Sequence, residues 1–186
     1  MEYAEGGDLH QLIRIQRNKK YKFTEKRIWQ FAYDLSKSID YLHKNNIIHR
    51  DIKTMNVFLD GNGRVKLGDL GVARILKDAH QLQFSRVGTP MYISPEMVKH
   101  EAYNIKIDVW AVGCVLYQLA ALRAPFYGEN LISLGYNICH SQPKRLPEEY
   151  SGKLRRFIVK LLQKDPGQRP TFGHVLKTVY FPPTID

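Results

Sequence analysis

The 186 residues include 44% hydrophobic and 11% aromatic side chains, enough to close one sizeable core, which excludes a disordered or collagen-like chain. Lys and Arg outnumber Asp and Glu by 28 to 18, a formal charge of +10 that invites an acidic or nucleic-acid partner. The basic residues are scattered as Lys19-Lys20, Lys26-Arg27, Lys144-Arg145 and Arg155-Arg156, so they read as solvated helix faces, and no nucleic-acid motif accompanies them.

Cys114 and Cys139 are the two cysteines. Their spacing fits neither a metal site nor a redox pair, so free thiols in a reducing compartment are expected. The longest apolar stretch, Val109 to Leu122, contains Gln118 and falls short of the ~20 residues a membrane helix needs, so it reads as a buried core helix. Met1 to Glu5 is neither basic nor apolar, and no export signal is expected.

In chain order, Gly6-Gly7-Asp8 breaks the backbone and caps a first helix carrying Leu9, Leu12 and Ile13. Thr24 followed by Glu25 opens a long amphipathic helix, with Ile28, Phe31, Ala32, Leu35, Ile39 and Leu42 at helical spacing, ending near His43. Val57-Phe58-Leu59 and Val65-Lys66-Leu67, separated by Asp60-Gly61-Asn62-Gly63, predict a short β-hairpin. From Asp69 to Glu96 no period is sustained, and so long an irregular stretch in a compact domain points to function. Helices follow over about Ile107–Ala121, Leu154–Gln163 and Phe172–Tyr180, the last opened by Pro170-Thr171.

Chemistry gathers around the hairpin. The loop before it reads His49-Arg50-Asp51-Ile52-Lys53-Thr54-Met55-Asn56, and the loop after it opens Asp69-Leu70-Gly71. Two carboxylates, a carboxamide and a lysine are what phosphoryl transfer requires: a group to orient a hydroxyl and take its proton, oxygen ligands for Mg²⁺, and a cation for developing charge. Any one of these pieces alone would be an ordinary surface loop or turn. Their joint order, continued by Pro95-Glu96 and Asp108-Val109-Trp110-Ala111-Val112-Gly113, leaves coincidence a negligible explanation.

With those motifs the chain resembles the C-terminal lobe of a eukaryotic protein kinase, from Met1 to about Pro182. Asp69-Leu70-Gly71 in place of Asp-Phe-Gly, together with Val87-Gly88-Thr89-Pro90-Met91-Tyr92-Ile93-Ser94-Pro95-Glu96, looks most like the NIMA-related (Nek) serine/threonine kinases. The resemblance implies an α+β kinase fold, of which this chain is the mainly helical C-terminal lobe: a hinge-like segment 1–7, then a lobe over 8–186. Within that lobe lie a catalytic loop at 49–56 and an activation segment at 69–96.

By the same resemblance the activity is transfer of the ATP γ-phosphate to protein Ser and Thr hydroxyls. Asp51 would orient the acceptor and take its proton, and Lys53 would neutralise the moving phosphate. Asn56 and Asp69 would hold Mg²⁺, Phe58 would lie under the adenine, and Glu2 and Ala4 would offer it backbone groups. Thr89 marks the serine/threonine class, and Ser85, 16 residues after Asp69, is the expected phosphorylation site whose phosphate pairs with Arg50, helped by Arg74. Glu96 and Arg169 would form a buried pair, Asp108 would hold the catalytic-loop backbone, and His49 and Leu70 would join an apolar stack.

No Gly-rich phosphate loop, strand lysine or partner glutamate is found in the sequence. The resemblance therefore implies that the N-terminal lobe is missing, with an open cleft around Phe58 and Leu70 that invites a regulatory protein. The rival reading is a catalytically silent lobe acting as a binding module. Nucleic-acid binding ranks last, no membrane contact is expected, and the Nek resemblance implies a cytoplasmic protein with cytoskeletal association.

Overall fold

The computed structural model describes residues 5–68, 73–75, 90–179 and 181. Seven helices and four short strands run through them in the order α1 (Leu9–Lys19), α2 (Glu25–Lys44), β1 (Ile47–Ile48), β2 (Val57–Leu59), β3 (Val65–Leu67), β4 (Arg74–Ile75), α3 (Pro95–Val98), α4 (Lys106–Ala121), α5 (Leu131–His140), α6 (Gly152–Leu161) and α7 (Phe172–Thr178). The architecture is mainly helical, and its two sheets are antiparallel pairs, β1 with β4 and β2 with β3.

Local chemistry sets the helix starts. Asp8 accepts from the Gln11 amide at 2.8 Å, Thr24 from Arg27 at 3.3 Å, and Thr171 from His174 at 3.3 Å, each satisfying an otherwise orphaned first-turn N–H. The predicted stripe of α2 is buried, including Ile28, Phe31, Ala32, Leu35 and Ile39, and each of the larger side chains, the isoleucines, Phe31 and Leu35, contributes about 1.5–3 kcal/mol relative to exposure. It packs against α4 and α7.

On α4 every residue from Ile107 to Ala120 is buried; a helix apolar all round belongs at the centre of a domain. Gly113 lets α6 come close, since a Cβ there would stand 2.9 Å from Leu161 Cβ and from Leu162 Cδ2. Both cysteines are free, Cys114 buried and Cys139 half-buried. No helix among the described residues is long and apolar enough to cross a membrane.

The hairpin is tied down from two sides. Asp60 Oδ1 accepts from the backbone of Asn62 and Arg64 at 3.0 and 2.8 Å, closing the turn. Asp34, buried on α2, takes Arg64 Nη2 at 2.6 Å, Arg64 Nε at 3.1 Å and the Val65 amide at 3.1 Å, which fixes β3 to the long helix. Residues 6–8 lie along β2, with the Gly6 amide on Leu59 O and the Leu59 amide on Gly7 O, both at 2.9 Å, and a bridge between Asp8 and Phe58.

Four features depart from the sequence expectations. Helices α3 and α5 were not anticipated, nor was the pairing of β1 with β4. Arg27, read as solvated, is half-buried: its guanidinium lies 4.4 Å over the Phe31 ring, it donates to Gly63 O at 2.8 Å, and burial lowers its pKa. Arginine's apolar stem and flat head let it cover a core edge.

Lys164, after α6, lies 3.9 Å over the Phe126 ring and 5.1 Å over Trp110 and donates to Ile138 O. Burial is the main reason its pKa falls to about 8. A folded pKa below the unfolded one means that the folded state binds fewer protons between about pH 8 and about pH 10.4. Stability from this group therefore rises with pH across that window. Thermal melts of the natural protein and Lys164→Met are expected to show the wild type gaining on the variant between pH 8 and about pH 10; a pH-independent difference would contradict the shift.

Candidate active site

Strand β1 delivers the chain into the loop 49–56, and one carboxylate holds the entry. Asp108, in the first turn of α4, accepts from the His49 amide at Oδ2 and the Arg50 amide at Oδ1, both at 3.0 Å. His43, at the end of α2, places Nε2 2.9 Å from the same Oδ2. Asp108 is 1% exposed, so these bonds act without competition from water. Arg50 sits at φ 68°, a left-handed backbone costly for a residue with a Cβ, and the two amides gripped by Asp108 stabilise it there.

His49 is fully buried and faces both halves of the site. Its Nε2 donates to Gly68 O at 3.1 Å while Nδ1 accepts from the Asp51 amide at 3.3 Å, so the two bonds agree on one tautomer with the hydrogen on Nε2. Gly68 also donates its N–H to Asn56 O at 3.0 Å. The residue just before Asp69 is thus bonded to both ends of the loop that carries Asp51.

Within the loop, Asp51 Oδ2 accepts from Lys53 Nζ at 2.6 Å and from Asn56 Nδ2 at 3.0 Å. Asn56 Nδ2 also donates to Asp51 O at 2.9 Å. Both hydrogens of the carboxamide are spent on one residue, which turns the Asn56 carbonyl oxygen away from Asp51 as an acceptor. Lys53 and Asp51 side chains are 20% and 12% exposed, open enough for a substrate to reach and enclosed enough for their charges to be felt.

Phe58 is half-buried on β2, against Gly68: a Cβ on Gly68 would stand 2.6 Å from Phe58 Cε2, so only glycine admits the ring. Glu96 and Arg169 are joined twice, Nη1 to Oε1 at 2.7 Å and Nη2 to Oε2 at 2.8 Å. Arg74 is exposed on β4 and pairs with Ile48, adjacent to His49. Glu2, Ala4, Asp69, Leu70, Ser85 and Thr89 lie outside the described residues.

Sequence reasoning missed a further support. Thr54 Oγ1 lies 3.0 Å from Tyr92 Oη, which donates to Gln118 Oε1 at 3.0 Å; all three residues are buried. These bonds link the loop 49–56 to the last turn of α4. Their one signal was Gln118 inside an otherwise apolar helix, a buried polar group that must have a partner.

Comparison with known proteins agrees with the geometry. The family model described as the protein kinase domain matches residues 1–181. Human serine/threonine-protein kinase Nek5 is 41% identical over 178 residues, covering 95% of this chain and 25% of that protein. Mouse Nek3 is 41% identical over 171 residues, covering 92% and 33%, and the probable serine/threonine-protein kinase nek3 of Dictyostelium discoideum is 38% identical over 181 residues, covering 95% and 16%. The chain thus spans a third or less of the length of these relatives.

Proposed function

The chain belongs to the protein kinase domain family, and from that premise we propose that it is the C-terminal lobe of a Nek-type kinase that moves the ATP γ-phosphoryl group to serine and threonine hydroxyls of proteins. The observation that carries this reading is the Asp51 carboxylate held between Lys53 Nζ and Asn56 Nδ2 on a loop anchored by Asp108. Relatedness to kinases whose names specify serine and threonine supports the acceptor class.

Asp51 orients the acceptor hydroxyl and receives its proton as the new O–P bond forms and the bond from Pγ to the ADP oxygen breaks. Lys53, already 2.6 Å from Asp51, lies where negative charge gathers on the phosphoryl oxygens. The Asn56 carbonyl, freed by the two bonds its amide makes, is a hard oxygen of the kind Mg²⁺ takes, and Asp69 follows Gly68 in the chain as the second. Bound Mg²⁺ and ATP supply the phosphoryl group and shield its charge. Phe58, with residues 6–8 alongside it, offers an apolar face for the adenine. A reducing cytoplasmic setting goes with this reading, supported by the free Cys114 and Cys139.

The test is transfer of label from γ-labelled ATP to a mixed serine, threonine and tyrosine peptide pool by the longest natural form of the protein. Phosphoserine and phosphothreonine are expected, with loss of label on EDTA addition and recovery with Mg²⁺. No transfer by the Mg²⁺-loaded full-length protein, or phosphotyrosine as the product, would overturn the proposal.

A further inference from the structure

Helix α6 buries Leu154, Phe157, Ile158 and Leu161 and turns the opposite stripe outward. An exposed polar stripe is ordinary for an amphipathic helix, but this one is single-signed: the helix reads Gly-Lys-Leu-Arg-Arg-Phe-Ile-Val-Lys-Leu, without a carboxylate. Arg155, Arg156 and Lys160 line one side of a cavity of about 450 Å³, and Lys144 and Arg145 line the other. Five cations thus surround one concavity whose lining holds no Asp or Glu. None of the five has a carboxylate partner among the described residues.

Two details make this a built site. Arg155 Nε is buried and has no hydrogen-bond partner, although an arginine donor shut away from water is normally paired. Tyr117, from the far end of α4, donates to Lys144 O at 2.9 Å, fixing the opposite wall by a bond that spends none of the five charges. Leu146 and Val159 add apolar surface between the cations.

We propose that this cavity docks phosphoserine- or phosphothreonine-bearing segments of protein partners. A dianionic phosphate matches the arginine forks of Arg155 and Arg156 and the point charges of Lys144 and Lys160. The apolar walls take the side chains beside it. A nucleic acid is less well matched, because the charges close round one concavity instead of tracking a backbone past stacking aromatics.

The location separates docking from chemistry. No residue of the loop 49–56 lines the cavity, so a phosphate bound here occupies a place separate from Asp51. The site would recruit a partner that is already phosphorylated, and that consequence for substrate choice rests on the kinase reading; the binding itself does not.

The experiment uses the full-length natural protein without nucleotide and a degenerate nonapeptide library with a central phosphoserine, compared with the same library carrying serine. The phosphorylated library is expected to be retained about tenfold more strongly. Arg155→Gln/Arg156→Gln is expected to abolish that difference, as is Lys144→Gln/Lys160→Gln at exposed positions, which guards against misfolding of the first pair. Lys19→Gln/Lys26→Gln, removing equal charge from another face, is expected to leave it intact. Equal retention of both libraries, equal losses in all three variants, or displacement of the phosphopeptides by a 20-nucleotide polyuridine that binds more tightly would overturn the proposal. Because no transfer is measured, failure here leaves the kinase reading standing. Failure of the ATP assay leaves this result standing in turn.

Discussion

Asp51→Asn in the longest natural form is expected to lower kcat by about 10²–10⁴-fold, the range spanned by loss of a positioned general base. The carboxamide fills the same space and can still accept from Lys53 Nζ and Asn56 Nδ2, which now meet Asp51 Oδ2 at 2.6 and 3.0 Å. What it cannot do is take a proton from the acceptor hydroxyl. The fold should survive, because the loop is held by bonds that do not involve this side chain: Asp108 to the His49 and Arg50 amides, Thr54 to Tyr92 and Gly68 to Asn56. The expected pattern is therefore a loss in kcat with KM for ATP and the thermal midpoint little moved, measured by steady-state kinetics beside a melt. Undiminished kcat in the variant would remove Asp51 from the reaction, whereas no transfer by either protein would favour a binding module over an enzyme.

How far these arrangements can be read from sequence depends on the range of the interaction. Helices α1, α2, α4, α6 and α7 and the β2–β3 hairpin follow from caps and periodicity, signals confined to a few neighbouring residues. Strands β1 and β4 are two residues each and exist through pairing 28 residues apart, Ile47 with Ile75, so no local pattern marks them. Helix α5 hides for a different reason. Its apolar residues do not form one stripe: Leu134 and Ile138 face inward, whereas Leu131, Ile132 and Tyr136 are exposed, and Gly135 interrupts the run. The Asn130–Ser133 capping box was the legible signal for it.

The candidate site divides in the same way. Asp51, Lys53 and Asn56 lie within six residues and meet across one loop, so their order alone proposes the chemistry. The supports do not lie in that loop. His43 and Asp108 are 65 residues apart, Tyr92 and Gln118 26 apart, and Asp34 reaches Arg64 from the middle of a helix whose polar positions look solvated. A buried Asp on an amphipathic helix is indistinguishable in sequence from an exposed one, and only the partner it meets decides. Arg169 with Glu96 was reached by resemblance, since nothing in the local pattern of Lys164-Asp165-Pro166-Gly167-Gln168-Arg169 announces a fully buried guanidinium.

That guanidinium carries the largest expected effect on stability. All five of its N–H donors are used: Nε on Gln163 O at 2.7 Å, Nη1 on Glu96 Oε1 and Lys106 O, and Nη2 on Glu96 Oε2 and Lys164 O. Arg169 thereby ties α3, the start of α4 and the segment after α6 to one another, and it lies 5.0 Å over the Trp110 ring. Arg169→Met removes the charge but leaves Glu96, 2% exposed, and three carbonyls without their donors. Stranding one member of a buried pair is expected to cost about 3–5 kcal/mol, equivalent to a fall in thermal midpoint of roughly 6–20 °C for a domain of this size. Arg169→Lys should recover only part of it, because an ammonium cannot reproduce the two-pronged bond to the carboxylate. The double variant Glu96→Leu/Arg169→Met should be less damaging than Arg169→Met alone, since it leaves no uncompensated charge. Urea denaturation of these four proteins and of Glu96→Leu reads all three comparisons and closes the double-mutant cycle. If the double variant proves as unstable as the two single losses added, Glu96 and Arg169 act independently and the pair is not what holds these three segments together.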